Sequence, residues 1–215
     1  MNEILETILR EWEVATLPEI ISREEPLKLS LLEQLPHRTL VVTGFRRVGK
    51  TYLLFEAIRG LLKKYSRREV VYINFEDERI LAKTKILTDL VPTIEKIYGQ
   101  KPIYLFLDEL QQIPLWSKWL RRMLDQEKIK IVVTGSSSKI SSVKVPTELR
   151  GRAWGQTVYP LSFKEFQSFK NVSPEGGANL NFNFNEYLKF GGLPDVVLSA
   201  SENQKRELLS EYLDV

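Results

Sequence analysis

The eight residues Gly44-Phe45-Arg46-Arg47-Val48-Gly49-Lys50-Thr51 constrain this chain more than any other feature. They read G-x-x-x-x-G-K-T. The apolar run Thr39 to Thr43 precedes them and has the character of a short buried strand. Tyr52 to Ile58 follows with helical spacing. In that strand–loop–helix setting the motif is a phosphate-binding loop, and the residue types follow from the chemistry. Gly44 and Gly49 let the backbone bend and approach phosphate without a Cβ in the way. The loop N–H groups and the helix N-terminus then face the anion. The candidate nucleotide-binding positions are therefore Gly44, Phe45, Arg46, Arg47, Val48, Gly49, Lys50, Thr51 and Tyr52. Lys50 can reach the β- and γ-phosphates, and the Thr51 hydroxyl can ligate Mg²⁺. The side chains of Arg46 and Arg47 are expected to point away, into salt bridges or subunit contacts, because such a loop binds with its backbone.

A second run, Ile103 to Leu107, ends in Asp108-Glu109. A buried strand ending in two carboxylates is the Walker B pattern. Asp108 is expected to hold the Mg²⁺ shell opposite Thr51, and Glu109 to orient and deprotonate the attacking water. Acidic residues often follow strands at turns, so the pair gains its meaning from the upstream loop. A third run, Ile131 to Thr134, ends in small hydroxyls. Thr134 and Ser136 are candidates to contact the γ-phosphate or its water, against the plainer reading of a polar turn with a serine cap. Arg150 and Arg152, in Leu149-Arg150-Gly151-Arg152, offer a guanidinium for γ-phosphate charge, in the same subunit or across an interface. Arg152 is the better placed, next to a strand. The alternative is that both arginines are solvated or pair with Glu148.

Composition narrows the rest. The chain has 215 residues, 43% of them hydrophobic, and a net charge of only +3, which gives no argument for nucleic acid. It has no cysteine and a single histidine, His37. Disulfides, thiol chemistry, cysteine-based zinc sites and histidine clusters are excluded. No apolar stretch approaches a membrane span, and the acidic N-terminus is unlike a signal peptide. The expected location is cytoplasmic. Trp116 and Trp119 are read as packing on the sheet rather than stacking on a base. The basic clusters at residues 63–68 and 121–122 are read as exposed helix faces and turns, with nucleic acid as the weaker alternative.

Five strands are expected: Thr39–Thr43, Val70–Phe75, Ile103–Leu107, Lys130–Thr134 and Gln156–Tyr159. Helical patterns at Thr51–Lys64, Ile80–Tyr98 and Ser117–Asp125 separate the first four, which implies a parallel sheet with helices on both faces. An N-terminal helix is expected around Leu5, Ile8, Leu9 and Trp12. From Leu161 the pattern changes. Ser162 and Glu165 form a capping box, a polar loop is expected from Asn171 to Asn183, and a helical pattern runs to the end around the turn Gly191-Gly192-Leu193-Pro194. The expected organisation is an N-terminal helix and linker over 1–28, a P-loop core over 29–161, and the start of a helical lid over 162–215.

The strings G-F-R-R-V-G-K-T, Y-L-F-L-D-E-L-Q-Q-I-P-L-W, V-T-G-S-S-S, L-R-G-R, Y-P-L-S-F-K-E-F and F-G-G-L-P, in that order, make the chain resemble archaeal and bacterial AAA+-like ATPases close to the STAND class. The resemblance implies an α/β fold, a RecA/AAA+-like P-loop NTPase with a parallel five-stranded sheet of order 5-1-4-3-2 flanked by helices, followed by a small helical lid. It implies ATP/ADP and Mg²⁺ as ligands, and Pro194 near the adenine in a closed state, where the plainer reading is an interhelical turn. Such proteins commonly continue into a C-terminal effector domain, so the chain looks truncated. The function implied is ATP hydrolysis used as a conformational switch, with a homo-oligomer left open. The competing readings are an ATP-dependent nucleic-acid motor or defence protein, a small-molecule kinase, and a nucleotide-binding module with negligible turnover. The Asp108-Glu109 pair argues against the kinase.

Overall fold

The computed structural model describes residues 3–35, 37–136, 148–172 and 177–213. Ser137 and Ser138 of the hydroxyl run, residues 173–176 of the expected polar loop and the last two residues lie outside them.

The centre is a five-stranded, all-parallel sheet: β1 (Thr39–Gly44), β2 (Val70–Asn74), β3 (Tyr104–Asp108), β4 (Lys130–Ser136) and β5 (Ala153–Val158), in the order β2-β3-β4-β1-β5. This is the order expected from the resemblance. Strand alternation sorts the side chains onto two faces. Val41, Val71, Ile73, Leu105, Leu107, Ile131 and Val133 share one buried cluster with α1 (Glu3–Val14), α4 (Thr84–Tyr98) and α5 (Trp116–Gln126). Leu40, Val42, Val70, Tyr104, Phe106 and Val132 face the other way, toward α2 (Ser30–Gln34) and α3 (Lys50–Leu61). Both faces are covered, so the strands read as near-continuous apolar runs, as buried parallel strands must.

The N-terminal helix lies outside the 29–161 stretch in sequence but inside this core in space. Leu5 and Leu9 are fully buried on α1, and the Trp12 indole N–H donates to the carbonyl of Val70 at 2.9 Å. Trp119 is buried against the sheet, and Trp116 is packed on the same cluster.

Among the described residues beyond β5 four helices follow: α6 (Phe163–Phe169), α7 (Gly177–Phe190), α8 (Pro194–Leu198) and α9 (Glu202–Leu213). Ser162 and Glu165 form the expected capping box of α6, with the Ser162 hydroxyl accepting from the Glu165 N–H at 3.1 Å. The polar loop expected up to Asn183 is shorter than that, because α7 begins at Gly177. Asparagine disfavours helix interiors, but here packing overrides propensity. Asn183 is buried, and the Phe184 ring meets Phe163 edge-on at 5.2 Å.

Candidate nucleotide site

All the parallel strands point their C-terminal ends at one edge of the sheet, so the loops after β1 and β3 and the end of β4 meet there. Open parallel sheets bind ligands at this edge. The loop after β1 leaves the strand at Gly44, where a Cβ would sit 2.4 Å from the carbonyl oxygen of Val158. Only glycine fits between β1 and the end of β5. At the other end Gly49 caps α3 with φ +93°, a conformation L side chains rarely adopt. Between them Val48 is fully buried and anchors the loop, while Phe45, Arg46 and Arg47 are exposed. Tyr52, one residue past Thr51, is also exposed.

Lys50 folds back under the loop. Its Nζ donates to the carbonyls of Gly44 at 3.3 Å and Phe45 at 3.0 Å, and lies 3.9 Å from Glu109 Oε1. Burial lowers the pKa of this ammonium, and the nearby carboxylates of Glu109 and Asp108 work against that shift. The charge is thus held in a nearly dry chamber with its partners at the walls. A phosphate placed there would meet a cation that water does not shield.

Asp108 closes β3 and is 1% exposed. Its carboxylate accepts from three hydroxyls: Thr51 Oγ1 at 2.7 Å and Tyr72 at 2.9 Å, both on Oδ2, and Thr134 on Oδ1. Burial and the neighbouring Asp108 raise the pKa of the Tyr72 hydroxyl, which keeps it a donor. Thr51 and Asp108 therefore present two hard oxygen donors side by side at the mouth of the loop. This set suits Mg²⁺, which takes oxygen ligands and usually only one or two carboxylates from a protein. Thr51 and Asp108 are the residues that would hold it.

Glu109 follows immediately, with φ +52°. A non-glycine residue in the left-handed region is strained, and here the conformation is held from both sides. Its N–H donates to Thr134 Oγ1 at 2.9 Å, and its Oε2 accepts from the side-chain amide of Gln111. Burial raises the Glu109 pKa, and Gln111 and Lys50 only partly offset it.

Most of the predicted residues meet at this edge. Lys50, Thr51, Asp108, Glu109 and Thr134 are in one connected cluster. Thr134 does so through its hydroxyl, which donates to Asp108 and accepts from the Glu109 N–H and so braces the carboxylate pair. Ser136 pairs with Gly44 through the backbone of β4 at the same edge, and its side chain lies outside the described part. Arg152 stands apart from this cluster in its own chain. It precedes β5, and its carbonyl accepts from the N–H of Thr39, at the start of β1. β1 is six residues long from that end to Gly44, which puts the two roughly 16 Å apart at the rise of a strand. Arg152 makes a two-point ion pair with Asp125, at 2.9 and 3.2 Å, and does not reach the loop of its own chain. Arg47 pairs with Glu211 at 2.9 Å, with its guanidinium 3.8 Å from the Tyr212 ring centroid. Pro194 begins α8, and its Cγ lies 3.8 Å from where a Cβ on Gly49 would stand. Gly192 is required by contact: a Cβ there would sit 2.3 Å from the Leu161 carbonyl.

Three further residues act at this edge without any sequence signal. Tyr72 reaches Asp108 only because β2 lies beside β3. Gln111 sits in a short 3₁₀ turn, Leu110–Gln112. Arg23 belongs to the linker before α2. Its guanidinium donates to the Val48 carbonyl at 3.0 Å, the Tyr159 carbonyl at 3.0 Å and both oxygens of Glu165, at 2.6 and 3.2 Å. The linker thus ties the phosphate-binding loop to α6. A cavity of about 280 Å³ opens beside it, lined by Arg23, Leu53, Val158, Glu165 and Tyr187 among others.

A glycine loop, a buried lysine and a hydroxyl–carboxylate pair at the C-terminal edge of a five-stranded parallel sheet define a P-loop NTPase fold of the AAA type. The chain belongs to the AAA domain family, whose model matches residues 36–167, and the family makes it a nucleotide-binding ATPase domain. It is 39% identical over 216 residues to an uncharacterized protein of Methanocaldococcus jannaschii, covering 97% of this chain and 46% of that protein. It is 33% identical over 199 residues to an uncharacterized protein of Haemophilus influenzae, covering 91% of this chain and 49% of that one. The chain thus spans about half the length of these curated relatives. Among solved structures it resembles S. cerevisiae Hsp104 in its extended complex with casein, with a TM-score of 0.58 and 14% identity over 89% of this chain and 38% of that one. That likeness is one of fold. No helix among the described residues is long and apolar enough to cross a membrane.

Proposed function

We propose that the domain binds ATP with Mg²⁺, hydrolyses it to ADP and phosphate, and transmits nucleotide state to its C-terminal helices as a conformational switch. The observation that carries this reading is the convergence of four side chains from the start of α3 and the end of β3: the 2.7 Å contact of Thr51 with Asp108 beside the 3.9 Å approach of Lys50 to Glu109. Lys50 binds phosphate charge and trades its contacts with two loop carbonyls for phosphate oxygens. Thr51 and Asp108 would hold the metal, which would supply positive charge against that building on the phosphates. Glu109 takes the proton of the attacking water. Burial strengthens its hold on a proton, which suits that task. The switch reading is supported by contacts between loop and lid. Pro194 stands beside Gly49, its Cγ 3.8 Å from where a Cβ there would be, Arg47 holds Glu211, and Arg23 bonds to Val48 and Glu165 together.

The test is ATP turnover in the presence of Mg²⁺ by the wild type, Lys50→Ala and Glu109→Gln. We expect the wild type to release phosphate, Lys50→Ala to lose nucleotide binding by calorimetry, and Glu109→Gln to bind ATP but turn over about 10²–10⁴ times more slowly. Near-normal single-turnover hydrolysis by Glu109→Gln would reassign the base. Unchanged ATP affinity in Lys50→Ala would remove the phosphate site.

A further inference from the structure

We infer that Gln111 is a positioning residue for hydrolysis, holding the Glu109 carboxylate so that one oxygen is pinned and the other is presented to the phosphate chamber. This rests on the reading of Glu109 as the base. Three observations on different atoms support it.

The first is the division of labour on the carboxylate. Oε2 of Glu109 accepts from Gln111 Nε2, while Oε1 is the oxygen 3.9 Å from Lys50 Nζ, the atom that marks where phosphate charge goes. An amide N–H on Oε2 removes the rotational freedom that would let the two oxygens exchange. Reaction rates depend steeply on such alignment.

The second is the backbone. Glu109 has φ +52°, so its side chain leaves the strand in a direction that a β conformation would not give. Thr134 fixes the N–H of this residue at 2.9 Å, and the 3₁₀ turn brings Gln111 back over it two residues later. Backbone and side chain of Glu109 are thus held by separate partners.

The third is the other end of the amide. Gln111 Oε1 is buried and has no hydrogen-bond partner among the described residues. Leaving a buried carbonyl unpaired is unfavourable, and an apolar side chain of similar size would avoid it. The polar contact of Gln111 in this site is with Glu109. The amide orientation is fixed by chemistry, since an ionised carboxylate only accepts.

The experiment compares Gln111→Glu and Gln111→Leu with the wild type in full chains, measuring kcat and KM for ATP with Mg²⁺, nucleotide affinity and thermal unfolding. Gln111→Glu has the same shape but replaces the donor with a second carboxylate. Both variants should bind ATP with the wild-type affinity and fold, while kcat falls by about 10- to 100-fold, the size expected for a misaligned catalytic group. The decisive measurement repeats both substitutions in the Glu109→Gln background by single-turnover hydrolysis. A residue that acts through Glu109 costs little more once Glu109 has lost its function, so the residual rate should stay within about twofold. A wild-type kcat in both variants, a loss confined to KM, or a full further loss in the Glu109→Gln background would each overturn the assignment of Gln111 alone. A wild type that binds ATP without any turnover would overturn the hydrolytic reading and this assignment with it.

Discussion

The sheet body and the C-terminal helices are built on different principles. The body has two large apolar clusters, one on each face of the sheet, with Leu40, Val41, Leu105, Phe106, Leu107, Val132 and Val133 all fully buried. The helices after β5 have a small one, in which Leu161, Phe166, Phe169 and Val197 are buried. Phe182 and Leu188 on α7 remain 69% and 67% exposed. Charge pairs add to that small core. Glu186 sits between Lys170, at 2.5 Å, and Lys205. Glu165 holds Arg23 at 2.6 Å, and Lys189 holds Glu202 at 2.7 Å. Apolar interdigitation fixes one geometry and resists deformation. Ion pairs between packed helices can exchange partners or take up water at lower cost. A rigid body beside helices held by charges is consistent with the switch proposed above.

The largest expected effect separates the two by the same substitution at equal burial. Leu105→Ala in β3 should lower the global stability by about 2–5 kcal/mol, seen as a shifted denaturation midpoint. Leu161→Ala should act mainly on hydrogen exchange in α6 and α8, with the global midpoint much less affected, because local opening need not involve the whole fold. Equal shifts of the global midpoint would mean that body and lid unfold as one unit. Next in size is Thr134→Val, which keeps the shape of a buried residue and removes the hydroxyl shared by Asp108 and the Glu109 N–H. It should cost about 1–3 kcal/mol and lower turnover, and denaturation with a parallel phosphate-release assay checks both.

Acid should open the lid before the body. Burial alone would raise the pKa of Glu165 and of Glu186, but hydrogen bonds to Arg23, Ser162 and Glu24 in the first case and to Lys170 and Lys205 in the second leave both below the ordinary 4.5. A depressed carboxylate stabilises the fold fully above its ordinary value and loses that contribution as pH falls through the lower folded-state value. Hydrogen exchange of α6, α7 and α9 should therefore accelerate below about pH 4.5 while β1, β3 and β4 stay protected. In Glu165→Gln the response of α6 should flatten. Simultaneous exposure of sheet and lid on acidification would erase the contrast. The smallest effect is expected for Arg47→Ala. Its pair with Glu211 is solvent-exposed, so only about 0.2–1 kcal/mol is at stake, and the readout is faster exchange at the end of α9 with little change in ATP affinity.

The sequence determined the parts of this molecule that are local. The glycines, the lysine and the threonine of the loop, the strand ending in Asp108-Glu109, the apolar runs of the strands and the Ser162–Glu165 cap each lie within a few residues of one another, where backbone geometry and periodicity dictate the outcome. It did not determine what lies across strands and between segments. Tyr72 meets Asp108 because β2 was inserted next to β3. Arg23 meets Glu165 across 142 positions of sequence, which no periodicity encodes. Arg152 is a short step from a strand in sequence, yet the parallel direction of β5 puts it at the edge opposite the phosphate-binding loop. Helix α7 forms over asparagines because aromatic packing outweighs their propensity. Even Gln111, two residues from Glu109, becomes its partner only through a positive φ and a 3₁₀ turn that the folded sheet imposes. Local chemistry is written in neighbouring residues, whereas the orientation of a carboxylate is set by whichever distant groups the packed fold brings to its oxygens.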